Sequence, residues 1–414
     1  MRVLVVHQNF PGQFGHLVRT WSSRLGWDVR ALGRDTAPGL RGFDALQRYH
    51  LTRDPHPAQH PYLRQMEAAI LHGQATVRAM LELRTGGFTP DVILAHPGWG
   101  ETLYAKDVFP DAKLIHLCEW YYSAQGADMG FDTEFPVSFD DRTRIRSRNA
   151  LHALNLTHCD VAVAPTQWQR SRHPKIFQSK ITVQQEGIDT HALAPDSGAS
   201  LITPSGVTLQ AGDPVVTYVA RNLEPYRGFH VFMRALQIVQ QEHPRCHALI
   251  VGGDELSYGK PPPREAGQLT NLNWRQHMLA QVNLDPTRTH FLGRIPRSQY
   301  LSVLQVSAAH VYLTYPFVLS WSLLEAMACG APLVASNTAP VREVLRHGEN
   351  AHLVSFFEPE VLAHTMLQVL HERVAQVPLR QQANADVQRF SLEAAVAGYD
   401  ALLGWDEQSL RRST

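Results

Sequence analysis

Short apolar segments alternate with amphipathic helical patterns along this chain, and after a break the same alternation begins again. Residues 2–6 (RVLVV) read as a strand, and Phe14, Leu17, Val18, Trp21 and Leu25 then recur at helical spacing. Further strands are predicted at 91–95, 113–118, 160–164 and 181–184, the first two preceded by Thr-Pro and Pro-Asp turns. Residues 190–213, rich in proline, glycine and small polar side chains, interrupt the pattern and read as a linker. The alternation resumes with strands at 215–219, 248–251, 290–292, 309–315 and 351–354, separated by helices, and helices at 360–374 and 392–403 close it. Strands separated by helices must pair in parallel, with both sheet faces covered. A chain of 414 residues exceeds one ordinary core. The expectation is therefore an α/β protein of two doubly wound, Rossmann-like domains facing a central cleft. Residues 1–190 form the first domain, 191–213 the linker and 214–390 the second domain, with a helix at about 391–410 returning to the first.

Composition narrows the functional classes. Lys plus Arg equal Asp plus Glu at 38 each, which argues against a nucleic-acid binder driven by bulk positive field. The opening MRVLVVHQNF has one arginine and a short apolar run, unlike a signal peptide. Four scattered cysteines, Cys118, Cys159, Cys246 and Cys329, fit a reducing cytoplasm. His56 and His60 are the nearest pair to a metal motif, but Pro55, Pro57 and Pro61 deny them a helix, so no metal site is expected.

Several segments carry chemistry. In TYPFVLSWSLLEAMACGAPLVAS (314–336), Ser320 caps a helix that ends at Gly330. Glu325 is a lone carboxylate inside that apolar helix and needs a partner. In VVTYVARNLEPYRGF (215–229), Arg221 follows a strand and Arg227-Gly228 opens a helix, an arrangement suited to phosphate oxygens. HQNFPGQFGHL (7–17) is a strand-to-helix loop with Gly12 and Gly15. HPGWGE (96–101) and HLCEWYY (116–122) each follow a strand and should line the cleft. There, Glu119 offers a carboxylate beside the flat faces of Trp120, Tyr121 and Tyr122, while His116 reads as a core histidine. No Asp-x-Asp occurs. Arg142, Arg144, Arg146 and Arg148 spread around a helix next to several acids, which reads as a solvated face or, more sharply, as a patch for anionic lipid.

Taken together, these motifs resemble the retaining glycosyltransferases of the GT-B fold, family 4 type (glycosyl transferases group 1). The resemblance implies that Glu325 accepts hydrogen bonds from the donor's ribose. Arg221, with Arg227 in place of the family lysine, would neutralise the donor diphosphate. Gly12, Gln13 and Phe14 would close over the donor, and Arg294 and Ile295 of FLGRIP would meet the base through their backbone. Phe317, Val318, Leu319 and Ser320 would lie at the sugar and phosphate, with Phe317 standing where relatives carry a glutamate. Glu119 and His96 would serve the reaction centre. The implied reaction moves a sugar from a nucleotide diphosphate sugar to an acceptor hydroxyl with retained configuration, in polysaccharide or glycolipid assembly. It needs no metal and no cofactor beyond the donor as co-substrate. The partners implied are that donor and a saccharide or lipid-linked acceptor, with peripheral membrane contact at the inner face. A sugar-nucleotide epimerase and a non-catalytic nucleotide-sugar-binding subunit are the alternatives.

Overall fold

The computed structural model describes residues 1–263 and 272–405. The chain divides into two compact units, Met1–Gly187 with Leu392–Thr414, and Ile188–Ser391. No helix among the described residues is long and apolar enough to cross a membrane.

The first unit is built on parallel strands β1 (Arg2–Val6), β2 (Asp28–Arg34), β3 (Leu46–Tyr49), β4 (Val92–Ala95), β5 (Lys113–Leu117), β6 (Val161–Ala164) and β7 (Ile181–Val183), in the order β3-β2-β1-β4-β5-β6-β7. β-Branched and aliphatic residues fill these strands because both faces are buried. In β1, Val3 and Val5 join one core cluster, while Leu4 and Val6 join the cluster on the other face. The order reverses between β1 and β4, which pair as far as Val6 with Ala95. Such a reversal opens a crevice at the strands' carboxyl ends. Long helices at Arg64–Thr85 and Phe139–His158 cover the sheet; the first has no marked hydrophobic stripe in the sequence, and its proline-rich approach disguises its start. Helix Leu392–Leu403 belongs to this unit. Its Asp400 accepts from Trp21 Nε1 at 2.9 Å and takes a two-pronged ion pair from Arg24 at 2.7 and 2.6 Å. The expected helix runs on to about 410, but residues beyond 405 lie outside those described.

The second unit begins with structure where a linker is expected from the sequence. Residues 191–213 contain an antiparallel hairpin, β8 (Ser200–Ile202) and β9 (Thr208–Gln210). Leu201 and Leu209 are buried against Val215, Val303 and Val306, so this segment is part of a core. Two leucines buried at roughly 2 kcal/mol each hold the hairpin there. The main sheet comprises β10 (Val215–Asn222), β11 (His247–Gly253), β12 (Thr289–Gly293), β13 (Ala309–Tyr312), β14 (Leu333–Ser336) and β15 (His352–Val354), in the order β12-β11-β10-β13-β14-β15. The reversal here falls between β10 and β13. β13 ends three residues earlier than expected, because Thr314 N–H turns to donate to Ser336 Oγ at 3.1 Å. A helix at Gln376–Val387, absent from the sequence reading, packs Ala383 and Val387 into the core beside Leu323 and Met327. Of the expected loop at 257–271, residues 264–271 lie outside those described.

Candidate functional site

At the switch point of the first unit, β1 and β4 deliver His7 and His96 side by side, with ring centroids 5.5 Å apart and Trp99 closing on both. His7 is buried, and burial first, then the neighbouring His96, pushes its imidazole down to about 4. It is therefore neutral near pH 7. Its Nδ1 accepts from Asn9 N–H at 3.0 Å, so Nε2–H donates to Gln13 Oε1 at 2.9 Å. Gln13 passes the polarity on, since its Nε2 donates to Glu119 Oε1 at 2.7 Å. Glu119, carried at the end of β5, also lies 3.4 Å from His96 Nε2 through its second oxygen. His96 Nδ1 accepts from Gly98 N–H at 3.2 Å, which leaves Nε2–H to face the carboxylate. Burial alone would raise the Glu119 carboxyl, but His96 and the Gln13 amide outweigh it and hold it below its ordinary value. The Glu119 side chain keeps 31% of its surface open. The result is an ionised, half-open carboxylate, aimed by two side chains.

Three expectations for this unit change. Phe14 is wholly buried among Leu17, Val18 and Trp21, and its N–H is taken by Pro11 C=O at 3.0 Å, so it is a core residue rather than a donor contact. Gly12 has φ +50°, and a Cβ there would come within 2.3 Å of His7 Nε2. Its bareness makes room for the histidine rather than for a phosphate. Trp120 is buried at 5% exposure, so its ring offers no free face to a sugar, while Arg148 covers one face of Tyr122 at 3.8 Å. His116, by contrast, is the core histidine expected, bonded to Thr102 Oγ1 at 2.9 Å.

The second unit gathers a different set at its own switch point. The turn Pro225–Arg227 ends at Gly228, φ +67°, where a Cβ would meet Leu313 Cβ at 2.4 Å. This close approach brings Arg227 against β13. Its Nη1 donates to Thr314 Oγ1 at 2.8 Å, to Val318 C=O at 3.0 Å and to Tyr312 Oη at 3.4 Å. Arg227 is only 9% exposed, and among the described residues no carboxylate pairs with it. A nearly buried cation with only neutral partners is costly unless an anion completes it. Arg221, at the end of the same strand, is exposed and also has no acidic partner among the described residues.

The helix after β13 runs Trp321–Ala328. Ser320 caps it by accepting from Ser322 N–H at 3.3 Å, while Ser320 N–H itself donates to Tyr312 Oη at 2.9 Å. Glu325 finds the partners it required. Arg297 Nη1 meets Oε1 at 2.6 Å, and the Tyr300 phenol donates to Oε2. Neither partner carried a sequence signal beyond Glu325's own need. Arg294 is exposed and pairs with Glu255 at 2.8 Å, and Ile295 packs on the core beneath it. Two donor-site candidates are covered: Leu319 lies in the core, and Phe317 is 3% exposed, between Tyr226 at 5.6 Å and Tyr258 at 4.9 Å. A ring so covered cannot itself meet a ligand in this arrangement.

Comparison with known proteins bears on both units. A family model described as "Glycosyl transferase family 4 group" matches residues 25–193, and one described as "Glycosyl transferases group 1" matches residues 205–388. A phosphatidyl-myo-inositol mannosyltransferase of Mycobacterium leprae is 30% identical over 200 residues, covering 46% of this chain and 47% of its own length. A D-inositol 3-phosphate glycosyltransferase of Mycolicibacterium vanbaalenii is 26% identical over 223 residues, 53% of this chain and 48% of its own. The chain thus spans about half the length of the curated relatives it matches. Among solved structures, HepE of Anabaena in complex with UDP-glucose superposes with a TM-score of 0.66 at 18% identity, over 98% of this chain and 99% of that one. Sucrose-phosphate synthase of Thermosynechococcus elongatus gives 0.71 at 17% identity over 100% of both chains.

Proposed function

We propose that this chain, which belongs to the group 1 glycosyltransferases of the GT-B fold, transfers a sugar from a nucleotide diphosphate sugar to an acceptor hydroxyl with retention at the anomeric carbon. Arg227 carries the reading: an almost buried guanidinium, fixed by Tyr312, Thr314 and Val318, with no carboxylate to neutralise it among the described residues. A diphosphate supplies the missing charge, and Arg221 adds a second cation. Glu325 accepts the donor's ribose hydroxyls. Its oxygens are already aimed by Arg297 and Tyr300, and a carboxylate has lone pairs to spare for two more donors. HepE, crystallised with UDP-glucose, supports a nucleotide sugar as donor.

In the transfer, the bond from the anomeric carbon to the diphosphate oxygen breaks as the acceptor oxygen bonds to that carbon. The acceptor's proton passes to the departing phosphate, on the same face of the sugar. Arg221 and Arg227 stabilise the leaving charge, so no metal is required. Glu119, held ionised by His96 and Gln13, orients the acceptor hydroxyl or steadies positive charge on the sugar ring. The inositol-modifying relatives, together with exposed Phe139, Arg142 and Arg146 on one face of a helix, favour a lipid-linked or polyol acceptor met at a membrane surface. The test is a panel of nucleotide sugars assayed for nucleoside diphosphate release, with and without EDTA. Release that survives chelation supports the reading; binding without any turnover would favour a non-catalytic subunit.

A further inference from the structure

Glu224 is 1% exposed, yet it pairs with no basic side chain among the described residues. Its carboxylate instead gathers three consecutive backbone donors. Ser257 N–H reaches Oε1 at 3.3 Å, and Tyr258 and Gly259 N–H reach Oε2 at 3.2 and 2.9 Å. Such a row of amides is a good anion cradle, and here the anion is the protein's own. Two residues earlier, Asn222 Nδ2 donates to Ser257 Oγ at 2.8 Å, a second tie to the same turn. The fit is tight at Gly259, where a Cβ would lie 3.3 Å from Glu224 Oε2.

What this tether positions is Tyr258. Its ring stands edge-on to Phe317, 4.9 Å away, and its centroid is 5.9 Å from the Arg227 guanidinium. Phe317 is covered, whereas Tyr258 is 39% exposed, and its phenol has no hydrogen-bond partner among the described residues. In a nucleotide diphosphate sugar, the sugar is bonded directly to the terminal phosphate. The diphosphate's other end carries the ribose, which this reading gives to Glu325, held by Arg297 and Tyr300 apart from Tyr258 and Phe317; the ring beside Arg227 is accordingly assigned to the sugar end.

We propose that Tyr258 is the donor-sugar contact of this enzyme, its ring packing on a C–H face of the hexose, and that Glu224 is the positioning residue that holds it there. The inference rests on the glycosyltransferase reading and adds to it a specificity device. The wall beside Arg227 is aromatic, with Phe317 backing Tyr258. An aromatic face attracts C–H edges and offers nothing to a hydroxyl lying flat against it. The preferred donor is accordingly a sugar that turns a deoxygenated or all-C–H face to this ring.

The experiment compares wild type, Tyr258→Ala, Tyr258→Phe and Glu224→Gln. Steady-state kinetics with the nucleotide sugar that the wild type uses best are set beside calorimetric binding of the free nucleoside diphosphate. Tyr258→Ala should raise KM for the nucleotide sugar about tenfold or more, while nucleoside diphosphate affinity stays within about twofold. Tyr258→Phe should remain close to wild type, and Glu224→Gln should shift KM in the same direction as Tyr258→Ala. Because Tyr258 is partly exposed, its variants remain informative should Glu224→Gln fail to fold. An unchanged KM in Tyr258→Ala, or an equal loss of nucleoside diphosphate affinity, overturns the inference and leaves the glycosyltransferase reading standing. A wild type that accepts no nucleotide sugar overturns both.

Discussion

His96 Nε2 lies 3.4 Å from Glu119 Oε2, joining the ends of two neighbouring strands. Gln13 holds the other oxygen of Glu119 at 2.7 Å and is itself fixed by His7. Two side chains thus converge on one carboxylate, with His7 behind Gln13, and such fixing is what positions a group for reaction. Replacing Glu119 by Gln keeps the shape and removes the charge. Donor binding should stay near wild type while turnover falls by about a hundredfold or more. Normal turnover in Glu119→Gln would make the whole cluster structural.

Gly12 supports that cluster through what it lacks. At φ +50°, with His7 Nε2 2.3 Å from the site of a Cβ, an alanine meets both backbone strain and a ring that cannot retreat. Gly12→Ala should cost about 1–3 kcal/mol of stability, read by urea unfolding. Unaltered stability would show that the loop can move away at little cost.

A buried network behind the site predicts a pH dependence. Glu101 is 1% exposed; Tyr49 donates to its Oε1 at 2.8 Å, and its Oε2 has no partner. Burial is the dominant effect, and despite Tyr49's hydrogen bond it pushes the carboxyl from 4.5 up to about 7. The folded chain therefore holds this proton more tightly than the unfolded chain. The stability contributed is fully present below pH 4.5 and is lost as pH rises through 7. Relative to Glu101→Gln, wild type should lose about 3 kcal/mol across that window. His7 contributes the opposite slope, but it is common to both proteins and cancels in the difference. A difference that stays flat between those pH values would mean that Glu101 is already ionised in the fold.

Much of this architecture was legible in the sequence, because apolar strands at regular intervals leave a doubly wound sheet little choice. Glu325 announced its need for a partner, and Arg227-Gly228 announced the start of a helix. What the sequence concealed lies between distant residues. That Arg297 and Tyr300 would meet Glu325 depends on how one helix packs on another. That Phe317 would be buried under Tyr258 depends on a turn tied to Glu224 by backbone N–H groups, which leave no side-chain pattern. The hairpin within 191–213 reads as a linker in sequence because its strands are only three residues long and its glycines and prolines are turn chemistry. Phe14 looked like a loop residue because its loop is followed at once by a helix that draws it into the core.

The decisive residue is Arg227. Nucleoside diphosphate release should be measured for wild type, Arg227→Lys and Arg227→Ala, in EDTA, with the best nucleotide sugar of the panel. The lysine variant keeps the charge and should retain part of the rate. The alanine variant should lose about a hundredfold or more, the scale of one preorganised charge-stabilising donor. Rates in Arg227→Ala close to those of wild type would contradict the assignment of this guanidinium to the leaving diphosphate.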